Sequence, residues 1–211
     1  MVNDQTPYLE FFVEEQSMGA ALSNILPKIY SDQTACWVIR EFNGKTNLLK
    51  NLPYRLRGRR KSMQRCHKII VMVDRDRDDC HELKGKLETI ASREGLITKT
   101  SAPGGNYQVI NRIVIEELEA WFFGDPNAII MAYPRVTLKT LSKPAYRNPD
   151  NIIGGTWEAL EKILISAGYY STGMPKKEVA EKVSRHMNIN INSSHSFNVF
   201  VEGIRNARLP E

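Results

Sequence analysis

The run Ile69-Ile70-Val71-Met72-Val73, which passes without a polar break into Asp74-Arg75-Asp76-Arg77-Asp78-Asp79, constrains the fold more than any other stretch of the chain. An apolar run without polar alternation, rich in branched residues, fits a strand covered on both faces, as in the middle of a parallel sheet. If the backbone stays extended beyond the run, Asp74, Asp76 and Asp78 point one way while Arg75 and Arg77 point the other. Carboxylates gathered on one side repel one another unless a cation sits among them, and all-oxygen ligands suit Mg²⁺ or Mn²⁺ better than zinc. Open α/β sheets bind ligands at the carboxyl ends of their strands, where this ladder falls. The competing reading is a set of solvated loop acids ahead of a helix from His81 to Arg93, with Asp79 as its cap.

With 211 residues, the chain suffices for one domain and a helical appendage. No apolar run approaches the ~18 residues of a membrane span, and the first residues lack the pattern of a signal peptide. A cytoplasmic protein with no membrane partner is expected. Cys36, Cys66 and Cys80 show no paired spacing, which argues against a disulfide framework or a zinc site.

The net charge of +5 is unevenly spread. No acid occurs between Phe42 and Val73, a segment with nine Lys and Arg residues, so the remainder of the chain carries −4. A basic segment beside a carboxylate site is the footprint of phosphate binding. Arg55, Arg57, Arg59, Arg60 and Lys61 are the candidate nucleic-acid contacts, in a stretch polar enough to suggest an exposed arm or loop. A solvated basic loop without ligand is the alternative.

In chain order, Tyr8–Val13 reads as a strand followed at once by Glu14 and Glu15, and Ser17–Ile29 as an amphipathic helix. Thr34–Ile39 reads as a second strand, Leu96–Thr100 as a short one and Val109–Ile115 as another that also ends in acids. Beyond it, Glu117 and Glu119 share a face if the backbone remains extended, and Glu116 and Glu119 do if a helix has begun. The spacing leaves both open, as it does the reading of these acids as favourable helix N-terminal charges. Trp121, Phe122 and Phe123 read as core. From Asp125 the pattern becomes helical: one helix opening at Pro126, then Trp157–Ala167, Lys176–Met187 and Phe197–Arg208. Lys176 and Lys177 open a helix against its dipole, which suggests an anion or acidic site before them, a solvated pair being the alternative. The expected division is a body over residues 1–140 and a helical extension over 141–211.

Glu14 after a first strand, Asp74 and Asp76 after a later one, and Glu117-Leu118-Glu119-Ala120-Trp121 after a third resemble the Toprim fold shared by topoisomerases, bacterial primases and OLD-type nucleases. The run Asp74 to Cys80, the segment Glu117 to Trp121 with Gly124-Asp125-Pro126, and Ser196-Phe197-Asn198-Val199-Phe200 are similar to a small stand-alone Toprim-like family of unassigned function, often encoded beside ATPases in prokaryotic defence loci. One departure is Glu15, which stands where the Toprim pattern has glycine.

The resemblance implies an α/β fold with a mainly parallel, Rossmann-like Toprim sheet. It implies that Glu14, Asp74, Asp76 and Glu117 or Glu119 supply catalytic metal ligands, with Mg²⁺ or Mn²⁺ as cofactor, and Asp78 of the same ladder joins them as a metal ligand. Lys176 joins the arginines as a candidate nucleic-acid contact. The expected activity is metal-dependent hydrolysis of DNA or RNA, with an ATPase encoded nearby as a candidate partner and the oligomeric state open. The alternative is a Toprim module that binds nucleic acid or an ATPase without turnover. Haloacid-dehalogenase phosphatases continue their Asp-x-Asp with Thr or Val, where Arg77 and Asp78 stand here. A glycosyltransferase reading leaves Glu14 and the glutamates near 117 without a role.

Overall fold

The computed structural model describes residues 6–31, 35–64, 66–76, 78–103 and 105–207. The strands are β1 (Tyr8–Val13), β2 (Cys36–Glu41), β3 (His67–Asp74) and β4 (Val109–Val114). They form one all-parallel sheet in the order β2-β1-β3-β4, so the fold is α/β as expected. β1 and β3 lie side by side with Val13 opposite Met72. Their carboxyl ends, and the acids that follow, are therefore neighbours.

The chain forms two compact units: residues 1–16, 30–113 and 203–211, and residues 17–29 and 114–202. This division differs from the boundary expected at residue 140.

The first unit carries the sheet with α2 (Lys45–Arg60) and α3 (Cys80–Arg93). β3 is buried along its apolar length. Its residues alternate: Ile69, Val71 and Val73 join Phe12 in a core closed by Leu48, Leu52 and Leu56 of α2 and Leu83, Leu87 and Ala91 of α3. Each leucine so buried contributes about 1.5–3 kcal/mol. Asp79 caps α3, its carboxylate accepting the backbone N–H groups of His81 and Glu82.

The basic stretch expected as an exposed arm is instead the second half of α2. Lys45, Leu48, Leu52, Leu56 and Arg59 recur every three or four residues, which puts one stripe of the helix on the sheet and leaves most cations outside. Gly44, with φ of 85°, makes the turn into this helix. The short strand expected over Leu96–Thr100 reduces to a single parallel bridge from Thr98 to Val109. Thr34 lies outside the described residues.

The second unit is helical: α1 (Gln16–Ile29, from Ser17), α4 (Glu119–Phe123), α5 (Pro126–Ala132), α6 (Leu138–Leu141), α7 (Thr156–Ser166), α8 (Lys176–His186) and most of α9 (His195–Arg205). Trp121 is fully buried, stacked on Phe200 at 4.9 Å and edge-on to Phe197 at 5.2 Å. Ser196 Oγ accepts both Ile115 N–H and Trp121 Nε1–H. Gly124 has no room for a side chain, since a Cβ there would lie 2.0 Å from Asn192 Oδ1, and Asn192 Nδ2 donates to Trp121 O. Asp125 caps α5 and accepts Asn188 N–H at 2.7 Å. The aromatic and Gly-Asp-Pro segments are thus the core and seams of this unit. Among the described residues no helix is long and apolar enough to cross a membrane.

Candidate functional site

Parallel pairing of β1 with β3 fixes the first contact. Glu14, one residue past β1, accepts the Asp74 backbone N–H on Oε2 at 3.2 Å, just where β3 ends. Glu14 is buried at 7 % exposure, and burial raises its carboxyl pKa above the ordinary value, against the opposing pull of the Lys45 charge and of the Asp74 hydrogen bond.

The ladder past Asp74 does not remain extended. Asp78 N–H donates to Arg75 O, closing a turn, and Asp76 adopts a φ of 50°. Aspartate tolerates this left-handed conformation better than most residues, yet it costs about 1–2 kcal/mol, and such strain concentrates at functional turns. The turn brings Asp76 and Asp78 together through Lys45 rather than by strand alternation. Lys45 Nζ donates to Asp76 Oδ2 and to Asp78 Oδ2, both at 2.7 Å, and to Arg75 O at 3.3 Å. Burial lowers the proton affinity of this ammonium, but the two carboxylate hydrogen bonds and the charges of Asp76 and Glu14 outweigh it and raise the pKa. A groove of about 270 Å³ opens beside the cluster, lined by Lys45, Thr46, Asp78, Glu82 and Lys86 among others.

The first unit therefore places Glu14, Asp74, Asp76 and Asp78 at the carboxyl end of the sheet, with the Lys45 ammonium paired to Asp76 and Asp78. Among the described residues, no group of three or more Asp, Glu, His or Cys side chains stands close enough to form a ready-made metal site.

Glu117 and Glu119 belong to the second unit. The chain leaves β4 through Glu116 at a φ of 58°, and α4 starts at Glu119, so neither simple spacing describes the turn. Glu117 Oε2 accepts Thr156 Oγ1–H at 2.9 Å and Trp157 N–H at 2.8 Å, serving as the cap that α7 lacks from its own Gly155. Glu119 is buried at 3 % exposure in the first turn of α4. Lys176 is exposed, its ammonium 4.9 Å from the centre of the Trp157 ring.

The arginines of α2 divide into three kinds. Arg59 forms a two-pronged pair with Glu10, a carboxylate with no exposure, which also receives Arg40 Nε at 3.2 Å and lies 3.4 Å from His67 Nε2. Burial pushes the Glu10 pKa up, but the nearby His67 and the hydrogen bonds from Arg59 and Arg40 outweigh it and hold it at about 2. Arg57 grips Glu94 through two hydrogen bonds of 2.8 and 2.9 Å, and Arg60 reaches Glu94 O. Arg55 and Lys61 face solvent.

Sequence reasoning passed over Lys45 and Glu10. Both had a signal: Lys45 and Arg59 stand at the two ends of the leucine stripe, so the cations nearest the core had to meet buried acids.

Searches among curated proteins and among solved structures find no match. Residues 13–205 match the model of a family described as a domain of unknown function, DUF4276, and the chain belongs to that family.

Proposed function

We propose that the chain is a Mg²⁺- or Mn²⁺-dependent nuclease of the Toprim kind, hydrolysing phosphodiester bonds in nucleic acid. The observation that carries this reading is the convergence of Asp76 and Asp78 on one positive charge, 2.7 Å from each, beside the paired strand ends that present Glu14 and Asp74. The ammonium is a stand-in: it occupies the position a cation among these carboxylates would take. The donor set fits a hard divalent ion, being carboxylate oxygen throughout.

Glu14, Asp74, Asp76 and Asp78 would hold the ion. When bound, it supplies charge neutralisation at the phosphate and a water of lowered pKa. Glu14, fixed through the oxygen that accepts Asp74 N–H, would be held in place to share in binding the ion. Lys45, released from the two aspartates, is positioned to pair with a non-bridging phosphate oxygen. Glu117 is committed to capping α7, so the first-unit acids carry the chemistry in this reading. The association with an ATPase in a defence setting, implied by the resemblance, belongs to the same proposal.

A second reading, a module that binds nucleic acid or an ATPase without turnover, is favoured by one observation: Lys45 already pairs with both Asp76 and Asp78. The test is incubation of the protein with supercoiled plasmid, single-stranded DNA and structured RNA in Mg²⁺, Mn²⁺ and EDTA, beside Asp76→Asn. Cutting by the wild type that EDTA and Asp76→Asn both abolish is expected. Binding without cutting under every condition would move the weight to the second reading.

A further inference from the structure

The leucine stripe that anchors α2 fixes what the opposite side of the helix presents. Lys50, Tyr54, Arg57 and Lys61 follow one another at intervals of four, three and four residues, so they form one outward stripe. Lys50 and Lys61 are exposed, and neither forms an ion pair among the described residues. Tyr54 lies between them with 68 % of its surface exposed. Scattered exposed apolar residues are ordinary. Here the ring stands alone on a strip of cations, in a segment without an acid from Phe42 to Val73.

The surroundings of the ring keep one side open. Arg57, clamped by Glu94, places its guanidinium 5.9 Å from the ring centre and forms a fixed edge. One turn further on, where a side chain would cover the ring, stands Gly58, and a Cβ built there meets nothing within 4 Å. Lys45, at the start of the same helix, is the residue bound to Asp76 and Asp78.

We infer that this outward stripe of α2 is the binding strip for a single-stranded nucleic acid, with one unpaired base stacked on Tyr54 and Lys50 and Lys61 pairing with phosphates on either side. The charge is complementary to a polyanion. An aromatic ring between cations, open on one side, is the combination that single strands use, because their bases offer free faces. Paired bases are already stacked and offer nothing to Tyr54. The inference deepens the proposed nuclease reading by naming its substrate strand, and it rests on that reading only for the chemistry that follows binding.

The test is fluorescence anisotropy of labelled oligothymidylate, oligouridylate and a short duplex with the full chain in EDTA, so that binding is read apart from cutting. Single strands should bind more tightly than duplex, the two oligonucleotides distinguishing DNA from RNA. Tyr54→Ala should weaken single-strand binding about tenfold, Tyr54→Trp should restore it, and duplex binding should not respond. Lys50→Gln with Lys61→Gln should reduce the salt slope by about 1.4. Wild-type affinity in Tyr54→Ala, preference for duplex, an unchanged salt slope, or binding to phosphatidylglycerol vesicles with none to oligonucleotides would overturn the inference. If Tyr54→Ala loses binding while the wild type cuts nothing in Mg²⁺ or Mn²⁺, the strip stands and the nuclease reading falls. If the wild type cuts and Tyr54→Ala binds normally, the reverse holds.

Discussion

Lys45 is the residue on which the site turns. In a site built for a divalent cation, its ammonium competes for the same oxygens of Asp76 and Asp78. Lys45→Gln should therefore tighten Mn²⁺ binding measured by calorimetry, because the competing charge is gone while the carboxylates remain. Weaker binding in that variant would mean that Lys45 organises the two aspartates rather than competing for them. Asp76, with its left-handed backbone, shows the same tension: the turn holds a conformation that costs energy in order to bring its carboxylate beside Asp78.

At the scale of elements, α2 is held to the sheet by leucines along its middle and by charge at both ends. Its far end rests on Glu10, whose pKa of about 2 lies below the ordinary 4.5. A carboxylate with a depressed pKa stabilises the fold above the ordinary value and loses that contribution as pH falls from about 4.5 toward 2. Glu10→Gln should cost about 2 kcal/mol at neutral pH in urea unfolding, less than a fully buried pair because Arg59 and Arg40 reach solvent. The gap between variant and wild type should close across that acid window. A gap independent of pH would assign the role of Glu10 to packing.

Elements with one clean period were legible in the sequence. β1 and β3 were marked by apolar runs, α3 by its Asp79 cap, and α5 by Asp125 and Pro126. Residues 55–61, most of them in the second half of α2, suggest an exposed arm or loop because their cations outnumber the one leucine among them, and an average over so short a segment hides a stripe spaced by four that begins at Leu48. The pairing of Lys45 with Asp76 and Asp78 was not legible, since it joins residues some thirty positions apart through a turn that leaves the extended conformation. Glu117 illustrates the converse: its acidic strand-end pattern was visible, but its partner, the bare N-terminus of α7, lies 39 residues away.

For the molecule as a whole, the motifs that carry the resemblance fall into two classes. Trp121, Gly124, Asp125, Ser196, Phe197 and Phe200 build the second unit, and their presence follows from packing and capping. Glu14, Asp74, Asp76 and Asp78 stand instead at the carboxyl end of the first unit's sheet, where Asp76 and Asp78 hold Lys45 at the start of α2 and Glu14 accepts the Asp74 N–H, and that end of an open α/β sheet is where ligands bind. On the proposed reading this end of the sheet holds a divalent cation. The most direct measurement is electron paramagnetic resonance of Mn²⁺ titrated into the full chain, with Asp74→Asn and Asp76→Asn alongside. Saturable loss of the free-ion signal is expected for the wild type, with affinity weakened at least about tenfold in each variant. A wild type that leaves the signal untouched, or variants that bind Mn²⁺ as well as it does, would contradict that reading.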